Sequence, residues 1–173
     1  MRRWWSLVLL VVVAGIAWVL GQDAVPFASG WLARPQRVPC DVEGVLDGDS
    51  LRVRCADGPV EVRLHCIDAP ERDQVPWAKR SRRHLAELAS RRVELVAVEH
   101  DRFGRLVAEV YGTGPQGLLL NLEQVRGGHA AVYRRYCKDS RYERAEQQAK
   151  EAGRGIWSRP GSQQRPWQHR HGG

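Results

Sequence analysis

The chain has 173 residues, a length that suits one domain with a hydrophobic core and short appendages rather than several domains. Lysine and arginine number 27 against 20 aspartates and glutamates, which gives a net charge of +7. This excess favours a polyanionic partner such as nucleic acid, because neutralising phosphates releases condensed counterions, although ordinary solubilising charge would look the same.

The N-terminus carries a targeting segment. Arginines at positions 2 and 3 precede seventeen uncharged, mostly apolar residues at 4–20. A spanning helix needs about twenty such residues and tolerates about seventeen, whereas a signal peptide usually has a shorter apolar run. Residues 1–22 are therefore predicted to be a signal peptide or an N-terminal membrane anchor. The anchor is favoured because no convincing Ala-x-Ala cleavage site follows. Residues 23–37, with Pro26 and Pro35, are predicted to be a linker.

Runs of alternating polar and apolar residues follow at 42–46, 49–55 and 60–67. This alternation is the period of a β-strand with one buried face. Asp47-Gly48 joins the first two runs and Asp57-Gly58 the last two, and an Asp-Gly pair between such runs favours a hairpin turn. Three antiparallel strands are predicted.

The rest of the chain alternates between helical and strand patterns. The predicted elements are helices at 77–92, at 122–126 and from 140 onward, and strands at 93–98 and 106–111. Asn121 is a candidate cap for the second helix, and Ser140 with Glu143 fits a capping box for the third. Five strands with about three helices fit an α+β fold built on an OB-type barrel over residues 38–160. Residues 161–173 are predicted to be a flexible tail.

Charged side chains gather where the third predicted strand ends. Asp49, Asp68 and Glu71 supply hard anionic oxygens, with Arg63 between the first two in the chain. Pro70 lacks a backbone donor, so the strand should end near Asp68 and leave Glu71 on a loop. Such oxygens suit Ca²⁺ or Mg²⁺ far better than zinc, and the pattern indicates phosphate chemistry. The alternative is that Asp49 only belongs to its turn and Asp68 only caps a loop.

Four ordered fragments resemble the thermonuclease family of staphylococcal nuclease-like domains. They are VLDGDSLRV, VRLHCIDAPE, DRFGRLVAEV at 101–110 and LNLEQVRGGHAAVYRRY, followed by an Ala-Glu-Gln-Gln-Ala helix and GIW at 155–157. Each fragment alone occurs by chance, but their order and spacing over residues 39–160 are specific. The resemblance implies the OB-fold and the hydrolysis of nucleic acid.

By this resemblance the domain binds calcium. Asp49 and Asp68 look like the family's calcium carboxylates, and the backbone carbonyl of Ala69 looks like a further ligand. The family often has threonine where Ala69 stands. A backbone ligand survives that change, whereas a side-chain hydroxyl contact would be lost.

The resemblance also implies catalytic roles. Glu71 matches the carboxylate that orients or deprotonates the attacking water. Arg63 and Arg105 match two arginines that grip the phosphate, since a guanidinium can form two parallel bonds to phosphate oxygens and stabilise charge at pentavalent phosphorus. In isolation, Glu71 would be an exposed loop residue and Arg63 a surface residue of a strand, which is the interpretation favoured for Arg52 and Arg54.

Two aromatic residues, Phe103 and Tyr136, match positions that touch substrate in the family. The family often has tyrosine where Phe103 stands, so a hydroxyl contact to phosphate is lost. Either Tyr133 or Arg134 could fill a further base-contact position, and the choice stays open. Aromatic side chains beside a phosphate site can stack on bases without reading sequence. Core packing is the alternative for Phe103.

The four cysteines are expected to form disulfides, because the domain is predicted to be exported. If the first hairpin turns at Gly48, Cys40 falls nearly opposite Cys55, which leaves Cys66 to pair with Cys137. Three pairings are possible, and this one is favoured. The alternative is that Cys55 and Cys66 are small buried apolar residues.

Together these patterns predict an exported, monomeric domain. The resemblance implies that it is a Ca²⁺-dependent nuclease of low specificity that hydrolyses DNA, with RNA as a further candidate substrate, and leaves 3′-phosphate ends. It would face the outside of the cytoplasm on a membrane anchor through residues 4–20, or be secreted or periplasmic after cleavage. The alternative is a non-catalytic OB-fold module that binds nucleic acid, which would be expected to lack one or more of the carboxylates or arginines. A membrane-tethered structural protein would explain the anchor but not the charged site.

Overall fold

The computed structural model of the protein describes residues 36–170. The predicted signal peptide or anchor at 1–22, residues 23–35 of the predicted linker and residues 171–173 lie outside the described residues. Within the described range, no helix is both long enough and apolar enough to cross a membrane.

The described chain alternates between strands and helices in the order expected of an α+β domain. The strands are β1 (Val38–Val45), β2 (Ser50–Cys55), β3 (Gly58–Leu64), β4 (Ile67–Asp68), β5 (Arg92–His100), β6 (Leu106–Gly112) and β7 (Ala131–Val132). The helices are α1 (Trp77–Ala89), α2 (Leu120–Arg126), α3 (Ser140–Glu151) and α4 (Pro166–His169), with 3₁₀ turns at Gly155–Trp157 and Ser162–Gln164.

Five of the strands close into a barrel, in the order β1, β2, β3, β6, β5 and back to β1. Leu51 and Val53 of β2 are fully buried, whereas Arg52 and Arg54 are exposed. The alternation in the sequence therefore sorts apolar side chains into the barrel and arginines out of it. This is the predicted OB-type architecture.

The barrel contains one parallel pair, β3 with β6, in which Val62 lies opposite Leu106. The remaining barrel pairs are antiparallel. Because Arg105 immediately precedes β6, the parallel pairing brings it near Arg63 on β3. Two arginines separated by 42 positions in the sequence are thus neighbours at one end of the sheet.

The predicted third strand is divided in two. β3 ends at Leu64, and Cys66 has a positive φ of 73°, which turns the chain before β4. β4 then pairs with β7, Ile67 opposite Val132, instead of continuing along the barrel. This turn places Asp68 in the interior, with no exposed surface.

The helices begin and end close to the predicted positions, with different caps. α1 ends at Ala89 rather than near residue 92, because Ser90 adopts a positive φ of 46° before β5 begins. Asp139, not Ser140, caps α3 by accepting the backbone N–H of Arg141. These differences move boundaries without changing the order of elements.

Asn121 does not cap α2 and instead joins two parts of the barrel. Its side-chain oxygen accepts the backbone N–H of Val110, and its amide donates to the carbonyls of His65 and Ala108. Since Asn121 is fully buried, these three bonds satisfy polar groups that water cannot reach. The side chain fastens α2 to β6 and to the turn after β3.

The four cysteines form two disulfides, Cys40–Cys55 and Cys66–Cys137. The first joins neighbouring strands of the first hairpin. The second ties the β3–β4 turn to the chain after β7, across a sequence separation of 71 residues against 15 for the first. Because loop-closure entropy grows with loop length, the longer cross-link should stabilise the folded state by about 4 kcal/mol and the shorter one by about 3 kcal/mol.

The structure corrects the prediction of a tail after residue 160. Gln163 is buried and donates to the carbonyl of Ile156, and Trp167 stacks on Tyr133 with ring centroids 5.5 Å apart. These contacts hold residues 161–170 against the domain. The segment is too short and too polar to show a helical period in the sequence. The prediction of a flexible tail was therefore wrong, because packing and not local pattern orders these residues.

Candidate active site

The turn between β1 and β2 supplies two carboxylates. The backbone N–H of Asp49 donates to Asp47 Oδ1 at 3.0 Å, and that of Ala69 donates to Asp49 Oδ2 at 2.7 Å. A Cβ atom on Gly48 would lie 1.9 Å from Ser81 Oγ and 2.7 Å from the Cβ of Ala69. Only glycine therefore lets the turn approach α1 and the residue after β4 this closely.

Arg63 lies between two aspartates. Its Nη1 donates to Asp49 Oδ1 at 2.8 Å and its Nη2 donates to Asp68 Oδ1 at 2.6 Å. The attraction of Asp49 outweighs burial and raises the pKa of Arg63 further above its usual range. The guanidinium is therefore charged and fixed in one orientation at the wall of a cavity.

The two carboxylate oxygens of Asp68 have different surroundings. Oδ1 accepts hydrogen bonds from Arg63 and, at 2.8 Å, from Arg170 Nη2. Among the described residues, buried Oδ2 has no hydrogen-bond partner. Burial, followed by repulsion from Asp49, raises the pKa of Asp68 to about 6, and the same causes raise the pKa of Asp47 to about 6. For Asp68, these two effects outweigh the attraction of Arg63 and Arg170, which acts in the opposite direction.

This donor set fits a hard divalent cation. A cation beside Asp49 and Asp68 would satisfy the buried oxygen and relieve the repulsion between carboxylates, and the backbone of Ala69 adjoins them both. Within residues 36–170 there is no group of three or more acidic, histidine or cysteine side chains arranged to hold a metal. Asp49, Asp68 and the carbonyl of Ala69 would form a partial cage, which water or a substrate phosphate would complete.

Glu71 stands on the loop between β4 and α1. Its backbone N–H donates to Gln74 Oε1 at 2.8 Å, and the backbone N–H of Gln74 donates to the carbonyl of Glu71 at 2.9 Å. Its carboxylate accepts a hydrogen bond from Arg170. The loop thus presents a half-buried carboxylate beside the aspartates.

Arg105 is held by Asp101 in the turn between β5 and β6. Asp101 Oδ1 accepts the backbone N–H groups of Phe103 and Arg105, and Oδ2 accepts Arg105 Nε at 2.8 Å. Against the effect of burial, these hydrogen bonds hold the pKa of Asp101 below its usual value. The ionised Asp101 therefore orders both the turn and the guanidinium that the turn carries.

A cavity of about 930 Å³ brings these groups together. Its lining includes Asp47, Asp49, Arg63, Ala69, Glu71, Phe103, Arg105, Tyr133, Tyr136 and Arg170. Asp68 lies behind this lining, fully buried and bonded to two of the arginines. The residues singled out in the sequence therefore meet at one site.

Aromatic side chains flank the charged groups. Phe103 is 69% exposed and Tyr136 is 50% exposed, so core packing is not the role of Phe103. Tyr133 also lines the cavity, with its ring 5.0 Å from that of Tyr136. Arg134 instead pairs with Glu143 and with a second glutamate of α3. Of the two residues left open, Tyr133 is the one at the cavity.

Two residues of the site were missed in the sequence. Asp47 was assigned only to a turn, although a second aspartate two positions before Asp49 was a visible signal. Arg170 stands in the predicted tail, and nothing in its local sequence distinguishes it from other exposed arginines. Arg170 reaches Asp68, which lies 102 positions earlier in the sequence, because the C-terminal segment packs against the domain.

Comparison with known proteins gives consistent matches. The family model for the staphylococcal nuclease homologue matches residues 61–159. A micrococcal nuclease of Shigella flexneri is 37% identical over 139 residues, which cover 75% of this chain and 79% of that protein. An uncharacterized endonuclease of Escherichia coli is 35% identical over 129 residues, 73% of this chain and 81% of the relative. An uncharacterized endonuclease of Haemophilus influenzae is 35% identical over 121 residues, which cover 69% of this chain and 66% of that protein.

Proposed function

This chain belongs to the staphylococcal nuclease family and is a phosphodiesterase, and on that premise we propose that it is a Ca²⁺-dependent nuclease of low sequence specificity. One observation carries the proposal: Arg63, Arg105 and Glu71 line one open cavity. Beside it lies a buried aspartate, one of whose oxygens has no hydrogen-bond partner within residues 36–170. In this mechanism, phosphodiester hydrolysis uses positive charge at the phosphate, a carboxylate beside the attacking water and a site for a metal ion.

The arginines bind the phosphate and stabilise its growing charge. Arg63 and Arg105 are both anchored by aspartates, so their guanidinium groups need little reorganisation when substrate arrives. Glu71 orients a water or accepts its proton as the water attacks phosphorus. The 5′ oxygen leaves, and the product strand ends in a 3′-phosphate.

Calcium is the cation that the donor chemistry favours. All the candidate ligands are oxygens, from Asp49, Asp68 and the carbonyl of Ala69, with Asp47 as an additional candidate. Such ligands suit Ca²⁺, whose flexible coordination tolerates a partial cage. When bound, the cation supplies positive charge to the phosphate oxygens.

The substrate proposal depends on the exposed aromatic side chains. Phe103, Tyr133 and Tyr136 offer ring surfaces next to the phosphate site, and stacking accepts any base. Single-stranded nucleic acid is therefore the expected substrate, as DNA and also as RNA. Stacking on a ring does not distinguish one base edge from another, which agrees with low specificity.

Export is part of the same proposal. Two disulfides in a chain of this size are typical of an oxidising compartment. We therefore propose that the monomeric domain acts outside the cytoplasm, either tethered to the membrane through residues 4–20 or released after cleavage.

The test is hydrolysis by the full chain, purified in mild detergent with its disulfides intact. Labelled single- and double-stranded DNA and RNA are incubated with Ca²⁺ and, in parallel, after exhaustive chelation. We expect cleavage only with Ca²⁺ and products that a 3′-phosphatase can modify. Activity that survives chelation would remove the metal from the proposal. Binding without cleavage would favour the non-catalytic module.

A further inference from the structure

The C-terminal segment, residues 162–170, binds the loop that carries Glu71. The hydroxyl of Ser162 accepts a hydrogen bond from Gln74 Nε2 at 3.0 Å, and His169 Nε2 lies 2.8 Å from an oxygen of Asp73. Gln74 and Asp73 are neighbours in the loop between β4 and α1. The segment thus holds this loop at both of its own ends.

The segment also places Arg170 at two carboxylates of the cavity. Its Nη2 donates to Asp68 Oδ1 at 2.8 Å, and its Nη1 donates to Glu71 Oε1. A guanidinium is charged at neutral pH, so the contact joins one cation to two carboxylates. A single planar cation therefore joins the candidate base to the candidate metal ligand.

The other oxygen of each carboxylate accepts no hydrogen bond from the described residues. Asp68 Oδ2 has no hydrogen-bond partner in the described part of the chain, and no described residue donates a hydrogen bond to Glu71 Oε2. Arg170 therefore bonds to one oxygen of each carboxylate and does not bond to the other oxygen, which a cation or a water would use. A side chain that blocked the site would be expected to occupy those atoms.

Glu71 needs such support because it stands on a loop. The backbone bonds around it run within the loop itself, to Gln74, and the strand that precedes it is only two residues long. A carboxylate that acts on water has to be held within a fraction of an ångström of its working position. Among the described residues, Arg170 is the side chain that bonds to its carboxylate.

We propose that Arg170 is a positioning residue of the nuclease site, which orients Glu71 and Asp68, and that the C-terminal segment is part of the active site. The inference rests on the proposed function. It extends the site beyond residue 159, where the family match ends.

The experiment compares the parent with Arg170→Gln, Arg170→Lys and a control, Arg165→Gln. Arg165 is an exposed arginine of the same segment whose side chain lines a different cavity, with Trp157 and Lys150. All four full-length proteins are assayed for kcat and KM on single-stranded DNA at saturating Ca²⁺. Their backbone hydrogen exchange is measured without metal or substrate.

We expect Arg170→Gln to lower kcat about 10–100-fold, the usual effect of removing a partner that orients a catalytic or metal-binding group, with KM little changed. Arg170→Lys keeps the charge but cannot bridge two carboxylates with a planar fork, so it should recover part of kcat. Arg165→Gln should match the parent. In the metal-free protein, amides of residues 71–75 should exchange faster in Arg170→Gln alone, while the barrel amides are unchanged.

Three results would overturn the inference. A raised kcat in Arg170→Gln would make the segment an inhibitory plug, and a raised KM with unchanged kcat would make Arg170 a phosphate-binding residue. Unchanged exchange at residues 71–75 would mean that the loop does not depend on Arg170. Because exchange requires no catalysis, this last readout decides the inference even if the parent cleaves nothing and the proposed function fails.

Discussion

At the scale of single residues, Arg63 has two tasks that use the same atoms. Its hydrogen bonds to Asp49 and Asp68 place a positive charge between two buried carboxylates, which would otherwise repel each other. The same bonds aim the guanidinium at the cavity. Loss of the fork geometry should therefore affect the chemistry even if the charge is kept.

The first prediction replaces Arg63 or Arg105 with lysine and Glu71 with glutamine. Each change should lower kcat about 10²–10³-fold, since removing one preorganised group from the transition state has effects of this size. DNA affinity, measured by fluorescence anisotropy with Ca²⁺ withheld, should change little. The matched control is Arg52→Lys, an exposed arginine on β2.

The outcome that contradicts this assignment is hydrolysis by all three variants at the parental rate. A binding module would give a different pattern: no hydrolysis in the parent and a modest, salt-dependent loss of affinity in each lysine variant. Melting temperatures accompany the assays, because Arg63 also bonds to buried Asp68.

At the scale of elements, the break between β3 and β4 positions the side chains of the proposed metal site. A strand that continued to residue 67 would alternate its side chains across the barrel wall. The turn at Cys66 instead sends β4 to β7 and buries Asp68 behind Arg63. The β1–β2 turn completes the arrangement because Gly48 packs against Ser81 and Ala69.

A second prediction concerns this packing. Gly48→Ala should destabilise the domain by about 1–3 kcal/mol, because the new methyl would overlap Ser81 and Ala69 and force the turn outward. Urea unfolding of the oxidised protein measures the change. Turnover should also fall, since the turn carries Asp49. The control is Gly44→Ala, where an added Cβ meets nothing within 4 Å. Equal unfolding midpoints for the two variants would show that the turn can shift freely.

At the scale of the whole molecule, stability depends on pH through groups with opposite effects. Asp47 and Asp68, with pKa values raised to about 6, bind protons more tightly in the folded state, so their contribution to stability falls as pH rises from about 4 to 6. His129 acts in the other direction. Burial, followed by repulsion from His84 and nearby arginines, lowers its pKa to about 4.

A third prediction isolates His129, which stacks on His84 at 4.1 Å. Between pH 6.5 and 4 the unfolded chain holds a proton at this histidine that the folded protein excludes, so stability is complete above pH 6.5 and declines as pH falls through this window. Between pH 7 and pH 4.5, the free energy of unfolding of His129→Gln should therefore fall by about 1–2 kcal/mol less than that of the parent. This difference is smaller than the full pKa shift would give, because the ring is partly exposed.

Metal-free urea unfolding at several pH values provides the measurement for His129. His100→Gln removes an exposed histidine of β5 and should follow the parent curve. Parallel curves for the parent and His129→Gln would show that proton exclusion at this ring does not contribute to the pH dependence.

The sequence by itself determined the elements of this protein and the residues to examine. Alternation with a period of two reports which face of a strand is buried, and Asp-Gly pairs report where it turns, so the barrel strands were predictable from local pattern. Arg63, Glu71 and Arg105 were found through ordered motifs, and the structure places all three at one cavity. Their catalytic roles stay predictions.

Only the tertiary structure decided which charged groups meet. The burial of Asp68 follows from the pairing of β4 with β7, the exposure of Phe103 from the position of its turn, and the place of Arg170 from the docking of a segment far along the chain. Local pattern cannot encode these features, because each depends on contacts between parts of the chain that are distant in sequence. Short polar segments such as residues 161–170 carry no periodic signal, and packing alone orders them.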